Sequence, residues 1–257
     1  MKSIYFISDA HLGCKAVEHR RTQERRIVRF LDTIKDKAEA IYMLGDMFDF
    51  WFEYSEVVPK GFTRFLGKIS ELTDIGIEVH YFTGNHDMWM GDYLNRECGV
   101  IIHHEPCTIE LYNKVFYIAH GHIIQTKKAP ILERLMMWCF QNRFLQFMAR
   151  LLPSGPFIRF GYSWARHSHI HHHINGDPEY LGDDKEQLVL FANEYLASHP
   201  DINYFVFGHR HIDLNKEIST DASVVILGQW YSLFTYAVFN GSDIITNHYI
   251  EGETKID

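Results

Sequence analysis

The sequence predicts an α/β fold, and two observations lead to this prediction. Five short apolar runs, rich in β-branched and aromatic residues, are bounded by Gly or polar residues, as strands buried on both faces are. Helical patterns lie between some of these runs, and alternating strands and helices are typical of α/β proteins. The five strand-like runs are residues 4–7, 40–44, 79–82, 115–118 and 204–207.

The helices and the later strands are predicted from the spacing of apolar residues. Apolar residues recur three and four positions apart, the period of a helix packed on one face, in segments 27–34, 62–69 and 188–195. Residues 222–242 carry no charge, which would also suit a membrane span. Gly228 and the turn pair Asn240-Gly241 interrupt this run, and we therefore expect two buried strands there.

The composition argues against several classes of protein. The 25 Lys+Arg and 33 Asp+Glu give a formal charge of −8, whereas nucleic-acid binders are normally basic. The four cysteines form no CxxC pair, which argues against a disulfide framework or a zinc ribbon. The apolar run at the N-terminus is too short for a signal peptide. We expect a single cytoplasmic domain, residues 1–257, that contains one insertion.

Each strand-like run leads into side chains that commonly bind metals. In α/β sheets, ligands bind beyond the carboxyl ends of the strands. A single His or Asp after a strand is usually a turn residue, but five runs with the same ending predict a shared metal site. The expected ligands are Asp9, His11, Asp46, Asn85, His120, His209 and His211.

The donor atoms predict the kind of metal and the number of ions. Nitrogen and oxygen donors without a thiolate suit Mn, Fe or Zn. Seven side chains are too many for one tetrahedral ion, but they suffice for two ions that share a carboxylate. Two metals about 3.5–4 Å apart recur in enzymes that hydrolyse phosphate esters. Gly45, Gly84 and Gly208 precede site residues, where they allow sharp turns or close approach of the backbone.

The order of these motifs resembles that of the calcineurin-like metallophosphoesterases. The motifs are Asp9-x-His11, Gly45-Asp46-x-x-Asp49, Gly84-Asn85-His86-Asp87, His120 and Gly208-His209-x-His211. The resemblance implies an α/β sandwich of two mixed β-sheets flanked by helices. One metal would be held by Asp9, His11 and His211. The other would be held by Asn85, His120 and His209, and Asp46 would bridge the two.

Other polar residues near these motifs have roles that the sequence leaves partly open. The resemblance places His86 beside the metals, where it contacts the phosphate or protonates the leaving group. Asp87 either orients the His86 imidazole or caps the next turn. Asp49 is expected to support the site without binding metal. His122 either lines the site or faces solvent, and His248 is expected to be structural.

A basic, apolar helical insertion is predicted at residues 127–173. It carries seven basic residues and one acid, although the whole chain is acidic. Apolar and basic residues of 143–151 fall on different helical faces, and Pro153 and Pro156 are expected to end this helix. A basic amphipathic helix suits a membrane surface or a lipid phosphate, and equally a lid on the sandwich. The histidines of 167–173 could bind metal, but we favour a mobile polar segment.

Longer segments resemble the UDP-2,3-diacylglucosamine pyrophosphatases of the LpxH type. The similarity lies in residues 8–13, 45–51 and 227–241 and extends over nearly the whole chain. It implies hydrolysis of a lipid-linked nucleotide sugar to UMP and lipid X in lipid A synthesis, with Mn as the favoured metal. It also implies transient contact with the inner membrane, and acyl chains covered by the insertion. The expected substrate contacts are Asn85, Trp51, Arg159 and Arg166.

Three departures from this second pattern indicate a divergent branch and leave the substrate open. His86 stands where enzymes of this type carry Arg, His122 where Asp is usual, and Gln229 where Asp is common. Another phosphodiester or phosphomonoester, of a nucleotide or a phosphoprotein, is the alternative substrate. A binding scaffold without chemistry is a third hypothesis, although the complete ligand set argues against it. The sequence does not predict the oligomeric state.

Overall fold

The computed structural model describes residues 2–14, 19–126, 129–174 and 178–250. One mixed sheet contains the strands β1 (Ser3–Ile7), β2 (Ala38–Met43), β3 (Glu78–Phe82), β4 (Ile101–His103), β10 (Thr235–Phe239) and β11 (Ile244–His248). Their order is β11-β10-β1-β2-β3-β4. Strands β1 to β4 run parallel, whereas β10 and β11 are antiparallel additions at one edge.

A second mixed sheet has five strands. They are β5 (Cys107–Leu111), β6 (Lys114–Ala119), β7 (Ile202–Phe207), β8 (Leu214–Glu217) and β9 (Ser223–Ile226). The order is β5-β6-β7-β9-β8, in which β6, β7 and β9 are parallel and the two edge strands are antiparallel. Both sheets therefore have parallel strands at their centres, the arrangement expected of a sheet buried on both faces.

Helices cover the outer faces of the sandwich. The first sheet is covered by α1 (Arg20–Ile34), α2 (Thr63–Asp74) and α3 (Tyr93–Cys98), and the second by α8 (Gln187–Ser198). Between the sheets, Phe6, Tyr42, Phe116 and Phe239 belong to one buried apolar cluster. The α/β sandwich is thus confirmed, and the three predicted helical segments lie in or at the ends of α1, α2 and α8.

The predicted strands are confirmed, and so is the interpretation of the uncharged segment. The five strand-like runs correspond to β1, β2, β3, β6 and β7. The uncharged residues 222–242 form β9 and β10, and Asn240 closes the β10–β11 hairpin by accepting bonds from the amides of Ser242 and Asp243. In the described parts of the chain, none of the helices combines the length and the apolar character that crossing a membrane requires.

In the described residues, four helices lie at the predicted insertion, residues 127–173, or directly before it. They are α4 (His122–Thr126), α5 (Ile131–Gln141), α6 (Arg143–Arg150) and α7 (Ser154–Ile174). As expected, α6 ends before Pro153. Pro156 instead lies in the first turn of α7, where proline is tolerated because its missing N–H has no helical partner to lose.

The backbone of α7 is helical as far as Ile174, so residues 167–173 lie in a helix, and their expected mobility stays a prediction. No proline interrupts residues 157–174, so the helix is not broken there by a missing N–H. The side chains of the histidines in 167–173 lie outside the described residues, and so do Lys127 and Lys128. The preference for a polar segment over a metal-binding one at these histidines therefore stays a prediction.

Candidate metal centre

Five of the predicted ligands have a backbone conformation that few non-glycine residues adopt. The φ angles are 55° for Asp9, 43° for His11, 51° for Asp46, 68° for His209 and 56° for His211. Left-handed φ values at such residues cost on the order of 1 kcal/mol or more each and cluster at functional sites. The amides of Asp9 and His11 donate to carbonyls of the turn after β2, which holds these loops together.

Asp9, His11 and His211 converge from the two sheets. His211 Nε2 lies 3.1 Å from Asp9 Oδ1 and 3.3 Å from His11 Nε2. His11 Nε2 lies 3.8 Å from Asp9 Oδ1. Donor atoms with these separations can all lie about 2.0–2.2 Å from one ion placed between them. The three side chains therefore fit a metal.

A second cluster lies beside the first and shares a carboxylate with it. His120 Nε2 lies 3.4 Å from Asp46 Oδ2 and 3.2 Å from Asn85 Oδ1. Donor atoms of Asp46, His120 and His209 all lie within 4.8 Å of one another. Asp46 Oδ2 also lies 3.9 Å from His11 Nε2. The same carboxylate oxygen thus faces both clusters, as a bridging ligand would.

Backbone carbonyls orient two imidazoles of the centre. His120 Nδ1 lies 2.6 Å from the carbonyl oxygen of Leu44, and His86 Nδ1 lies 2.9 Å from that of Asp49. Such contacts fix the tautomer and the plane of the ring. Nε2 of His120 faces Asp46 and Asn85. A ring nitrogen of His86 lies within 4.8 Å of donor atoms of His11 and Asp46.

Glycines allow the loops to approach one another at the centre. A Cβ at Gly84 would lie 2.1 Å from Asp46 Oδ1, and one at Gly208 would lie 2.0 Å from Ser8 Oγ. A Cβ at Gly45 would lie 2.7 Å from the Gly84 nitrogen. The predicted role of these glycines, close approach of the backbone, is confirmed.

The Asp46 carboxylate dominates the electrostatics of the centre. Burial opposes its ionisation, but His120, His86 and His11 hold the pKa of Asp46 well below its usual range. Burial also opposes protonation of His120, yet the charge of Asp46 raises the pKa of His120 to about 9. Burial and the neighbouring His120 lower the pKa of His209 far below its ordinary value. Ionised carboxylates and neutral imidazoles are the forms that bind metals.

This geometry is accompanied by a match to a protein family. The model of the calcineurin-like phosphoesterases matches residues 2–213, which include every ligand of both clusters. The chain belongs to the calcineurin-like phosphoesterases. It is a metal-dependent hydrolase, and the two clusters are its candidate sites for divalent ions.

Curated relatives of the phosphoesterase are similar to it over nearly their full length. It is 38% identical over 255 residues to a UDP-2,3-diacylglucosamine hydrolase of Porphyromonas gingivalis, covering 94% of this chain and 95% of the relative. A protein of the same name from Aeromonas hydrophila is 25% identical over 89% of this chain and 91% of its own. One from Vibrio cholerae is 26% identical over 95% of this chain and 96% of its own.

The carboxylate of Asp87 supports a loop of the phosphoesterase. It accepts hydrogen bonds from the amides of Gly84 and Phe48 and from the hydroxyl of Tyr81. The ring of His86 takes its Nδ1 contact from the carbonyl of Asp49 instead. Of the two alternatives for Asp87, orienting the imidazole or capping a turn, these contacts favour the second, because they hold the turn that carries Asn85 and His86.

Two structural features behind the ligands were missed from the sequence. The hydroxyl of Tyr231 lies 3.0 Å from His211 Nδ1 and orients this ring as the carbonyls orient the others. Arg210 lies between two ligands in sequence and forms a two-point ion pair with the fully buried Glu186, at 2.9 and 3.1 Å. The position of Arg210 inside the last motif is a sequence signal for a role at the site. Glu186 gives no such signal, because it lies far from Arg210 in sequence.

The structure places His122 and His248, whose roles the sequence left open, and Gln229, which departs from the second family pattern. His122 is buried, with its ring centroid 5.4 Å from that of His120, so it lies beside the site and does not face solvent. His248 is structural, since its ring contacts the carbonyl of Leu233 and the carboxylate of Asp213. Gln229 is buried and caps a turn by accepting from the amides of residues 232 and 233.

An apolar cavity opens beside the centre, between the sandwich and the insertion. Its volume is about 170 Å³, and Asp49, Asn85 and His86 form the polar part of its wall, on the side of the metal clusters. The remaining wall is largely aromatic and Met side chains from the sandwich and from α5 and α7, including Phe50, Met88, Trp89, Met137, Phe140, Phe157, Phe160 and Trp164.

The three other predicted substrate contacts lie in different environments. Trp51 contributes to the apolar cavity, but its side chain is fully buried and donates its indole N–H to Glu53. Arg159 is exposed on α7 and lines a separate groove. Arg166 is exposed farther along α7, and the described linings of these two cavities do not include it. The structure thus brings Asn85 and Trp51 to one cavity and leaves both arginines outside it.

Proposed function

We propose that this phosphoesterase hydrolyses the pyrophosphate bond of UDP-2,3-diacylglucosamine to UMP and lipid X, a reaction of lipid A synthesis. The observation that carries the proposal is its 38% identity, over 94% of the chain, to a relative named for hydrolysis of this compound. The apolar cavity beside Asn85 and His86 supports it, because a diacyl sugar needs an apolar site next to the reacting phosphate.

Two divalent ions would be bound by the seven donors of the centre. Asp9, His11 and His211 are assigned to one ion. Asn85, His120 and His209 are assigned to the other, and Asp46 to both. Donors of this type suit Mn best in this proposal, with Fe or Zn as alternatives. When bound, such ions stabilise negative charge on the phosphate and lower the pKa of water.

The protein groups have separate tasks in the reaction. Water adds to one phosphorus of the pyrophosphate, the bridging P–O bond breaks, and a proton reaches the departing oxygen. His86 is assigned to that oxygen or to the phosphate, because it lies beside the metal clusters and its contact with the Asp49 carbonyl orients the ring. Asn85 is assigned a second contact to the phosphate. Asp87 acts at a distance, by holding the turn that carries both.

The insertion is assigned to the acyl chains and to the membrane surface. Its outer side exposes large apolar side chains, with Leu132 76%, Phe144 68% and Leu151 64% accessible. Arg143 and Arg150 lie exposed on the same short helix as Phe144. Apolar residues flanked by arginines bind the boundary between headgroups and acyl chains. We therefore place the enzyme in the cytoplasm, in transient contact with the inner membrane where its lipid substrate resides.

The proposal is tested by product release. Purified protein incubated with UDP-2,3-diacylglucosamine and Mn should release UMP, and Asp46→Asn or removal of metal with a chelator should abolish the release. Wild-type release no greater than that of Asp46→Asn would contradict the proposal. Turnover of a generic aryl phosphodiester far above that of the lipid substrate would instead support a different phosphoester as the substrate.

A further inference from the structure

Helix α7 separates two cavities. Phe157 and Trp164 line the apolar cavity. Arg159 and Tyr162, on another face of the same helix, line an open groove of about 1150 Å³. The apolar cavity reaches the metal centre at His86, on one side of α7.

The groove on the other side also begins beside the centre. Gly13 lies in its wall and follows the ligand His11 by two residues. Tyr162 lies in the same wall. Burial and the charge of Asp49 raise the pKa of Tyr162 to about 12, against an opposing effect of Arg20. The Tyr162 hydroxyl is thus within the electrostatic reach of both the centre and the groove.

The groove is basic although the chain is acidic. Its lining includes four cationic side chains and one histidine, and no acidic side chain belongs to its lining as far as the structure is described. The whole chain has a formal charge of −8, so this concentration of positive charge is local. The residues concerned are His19, Arg20, Arg21, Lys60 and Arg159.

Arg20 is held in place within the groove. Its Nη1 donates to the carbonyl of Lys60 at 3.3 Å, and its guanidinium carbon lies 5.9 Å from the centre of the Phe62 ring. Gly61 has a φ of +117°, and a Cβ there would lie 2.9 Å from Arg20 Nη1. A guanidinium carries five N–H donors, so the Lys60 carbonyl leaves donors for an anion. An arginine oriented in this way loses less entropy when it binds phosphate.

We propose that this groove binds the nucleoside-phosphate half of the substrate, while the apolar cavity on the other side of α7 receives acyl chain. The inference rests on the proposed function, which supplies a substrate with one anionic end and one apolar end. The scissile bond lies between these ends, and each cavity has a residue near the metal centre: Gly13, two residues after His11, in the groove, and His86 in the apolar cavity. Arg20 and Arg159 contact phosphate or the nucleoside, and the other basic groups attract this end of the molecule.

The groove also has apolar walls at Val57, Val58 and Ile158, so the competing occupant is a second acyl chain. The two products of the reaction distinguish these occupants. UMP contains only the nucleotide half, and lipid X contains only the acylated half. Each can be measured separately as a product inhibitor.

The test uses full-length protein with Arg20→Gln and Arg159→Gln, each compared with Arg25→Gln. Arg25 is exposed on α1 and is not part of the groove lining. Each groove variant should weaken inhibition by UMP about tenfold or more, as expected for loss of a charged hydrogen bond. Inhibition by lipid X should change less than twofold, and Arg25→Gln should change neither. KM for the lipid substrate should rise more than kcat falls.

Two results would overturn the inference. One is inhibition by UMP that is the same in wild type and in both groove variants. The other is a loss of inhibition by lipid X with that by UMP retained, which would place an acyl chain in the groove. Arg159→Gln lies at an exposed helix position, so it remains informative if Arg20→Gln fails to fold. Failure of the proposed function is a separate result: wild type itself would not release UMP.

Discussion

The metal centre and the helical insertion differ in almost every physical respect. Asp9 and His11 are completely buried and Asp46 almost so, whereas Leu132 is 76% and Phe144 68% exposed. The residues of the centre are fixed by strained backbone, glycine contacts and hydrogen bonds to their rings. The described part of the insertion has the opposite character, with large apolar side chains turned outward.

This difference separates chemistry from selectivity. A buried centre with two clusters of donors can hydrolyse many phosphate compounds, because nothing in it recognises acyl chains. The insertion has none of the donors of the centre, but it provides an apolar wall next to His86. We infer that the centre determines what reaction occurs and the insertion determines which molecule reaches it. The predictions below test this division, beginning with the largest expected effect.

Asp46→Ala should cost far more metal affinity than any change in the insertion. Its Oδ2 faces both clusters, so its removal takes a ligand from each site and leaves imidazoles without a counter-charge. The loss should exceed the 10- to 100-fold that is typical of changes outside the ligand set. Calorimetric titration with Mn measures it, with the exposed Asp201→Ala as control. Two sites of unchanged affinity would contradict the bridging assignment.

Gly84→Ala should disable the centre although it adds a single methyl group. The new Cβ would lie 2.1 Å from Asp46 Oδ1, so the Asp46 carboxylate must move away from its position between the two clusters. We expect a loss of about 1–3 kcal/mol in unfolding free energy together with loss of metal binding. Gly67→Ala is the matched control. Nothing lies within 4 Å of its Cβ in α2, and it should stabilise by about 0.5–1 kcal/mol.

Much of the centre was predictable because strand and ligand are adjacent in sequence. Asp9, Asp46 and His120 each follow a buried strand within three residues, so each motif is readable locally. Parallel strands then bring their carboxyl ends together without further information. Residues joined only by the fold were not predictable in this way. Glu186 lies 24 residues from Arg210, and no local pattern connects them.

The insertion was predictable in composition but not in shape. Its charge and its amphipathic character were readable at 143–151, but the helix break was expected to extend beyond Pro153. Pro156 lies in the first turn of α7 instead of ending a helix. The sequence did not predict this, because a proline in the first turn of a helix and a proline in a loop look the same in the sequence. The division of two cavities by α7 depends on tertiary packing and has no signal in the sequence.

Glu186→Gln should have an intermediate effect, transmitted to the centre through Arg210. The change keeps the side-chain shape but removes the charge that pairs with Arg210 at 2.9 and 3.1 Å. We expect metal affinity to fall 10- to 100-fold at most, and unfolding free energy to fall by about 1–3 kcal/mol. Thermal denaturation and Mn titration give both values.

The control for Glu186→Gln is Lys216→Gln. That change removes an exposed ion pair to Asp183, which should contribute at most about 1 kcal/mol. Equal effects of the two variants on Mn affinity would mean that the buried pair does not position the last motif.

The double variant Phe144→Ser/Phe147→Ser should have the smallest effect on the folded protein. Both side chains are more than half exposed, so stability should change by roughly 0.5 kcal/mol or less per site. Binding to vesicles that contain anionic lipid should nevertheless fall, because these rings are assigned to the membrane. Ile75→Ser changes a side chain that is 58% exposed outside the insertion and should leave vesicle binding unchanged. Equal vesicle binding by both variants would contradict the assignment of Phe144 and Phe147 to the membrane surface.

The division between centre and insertion is tested most directly by two substrates that share the pyrophosphate and differ in the acyl chains. The measurement is kcat/KM for UDP-2,3-diacylglucosamine against kcat/KM for UDP-glucosamine, with wild type and Mn. Each buried CH₂ contributes about 0.8 kcal/mol, so even a few buried methylene groups should favour the acylated substrate by 100-fold or more. Equal values of kcat/KM would show that the insertion does not select the substrate and would contradict the account.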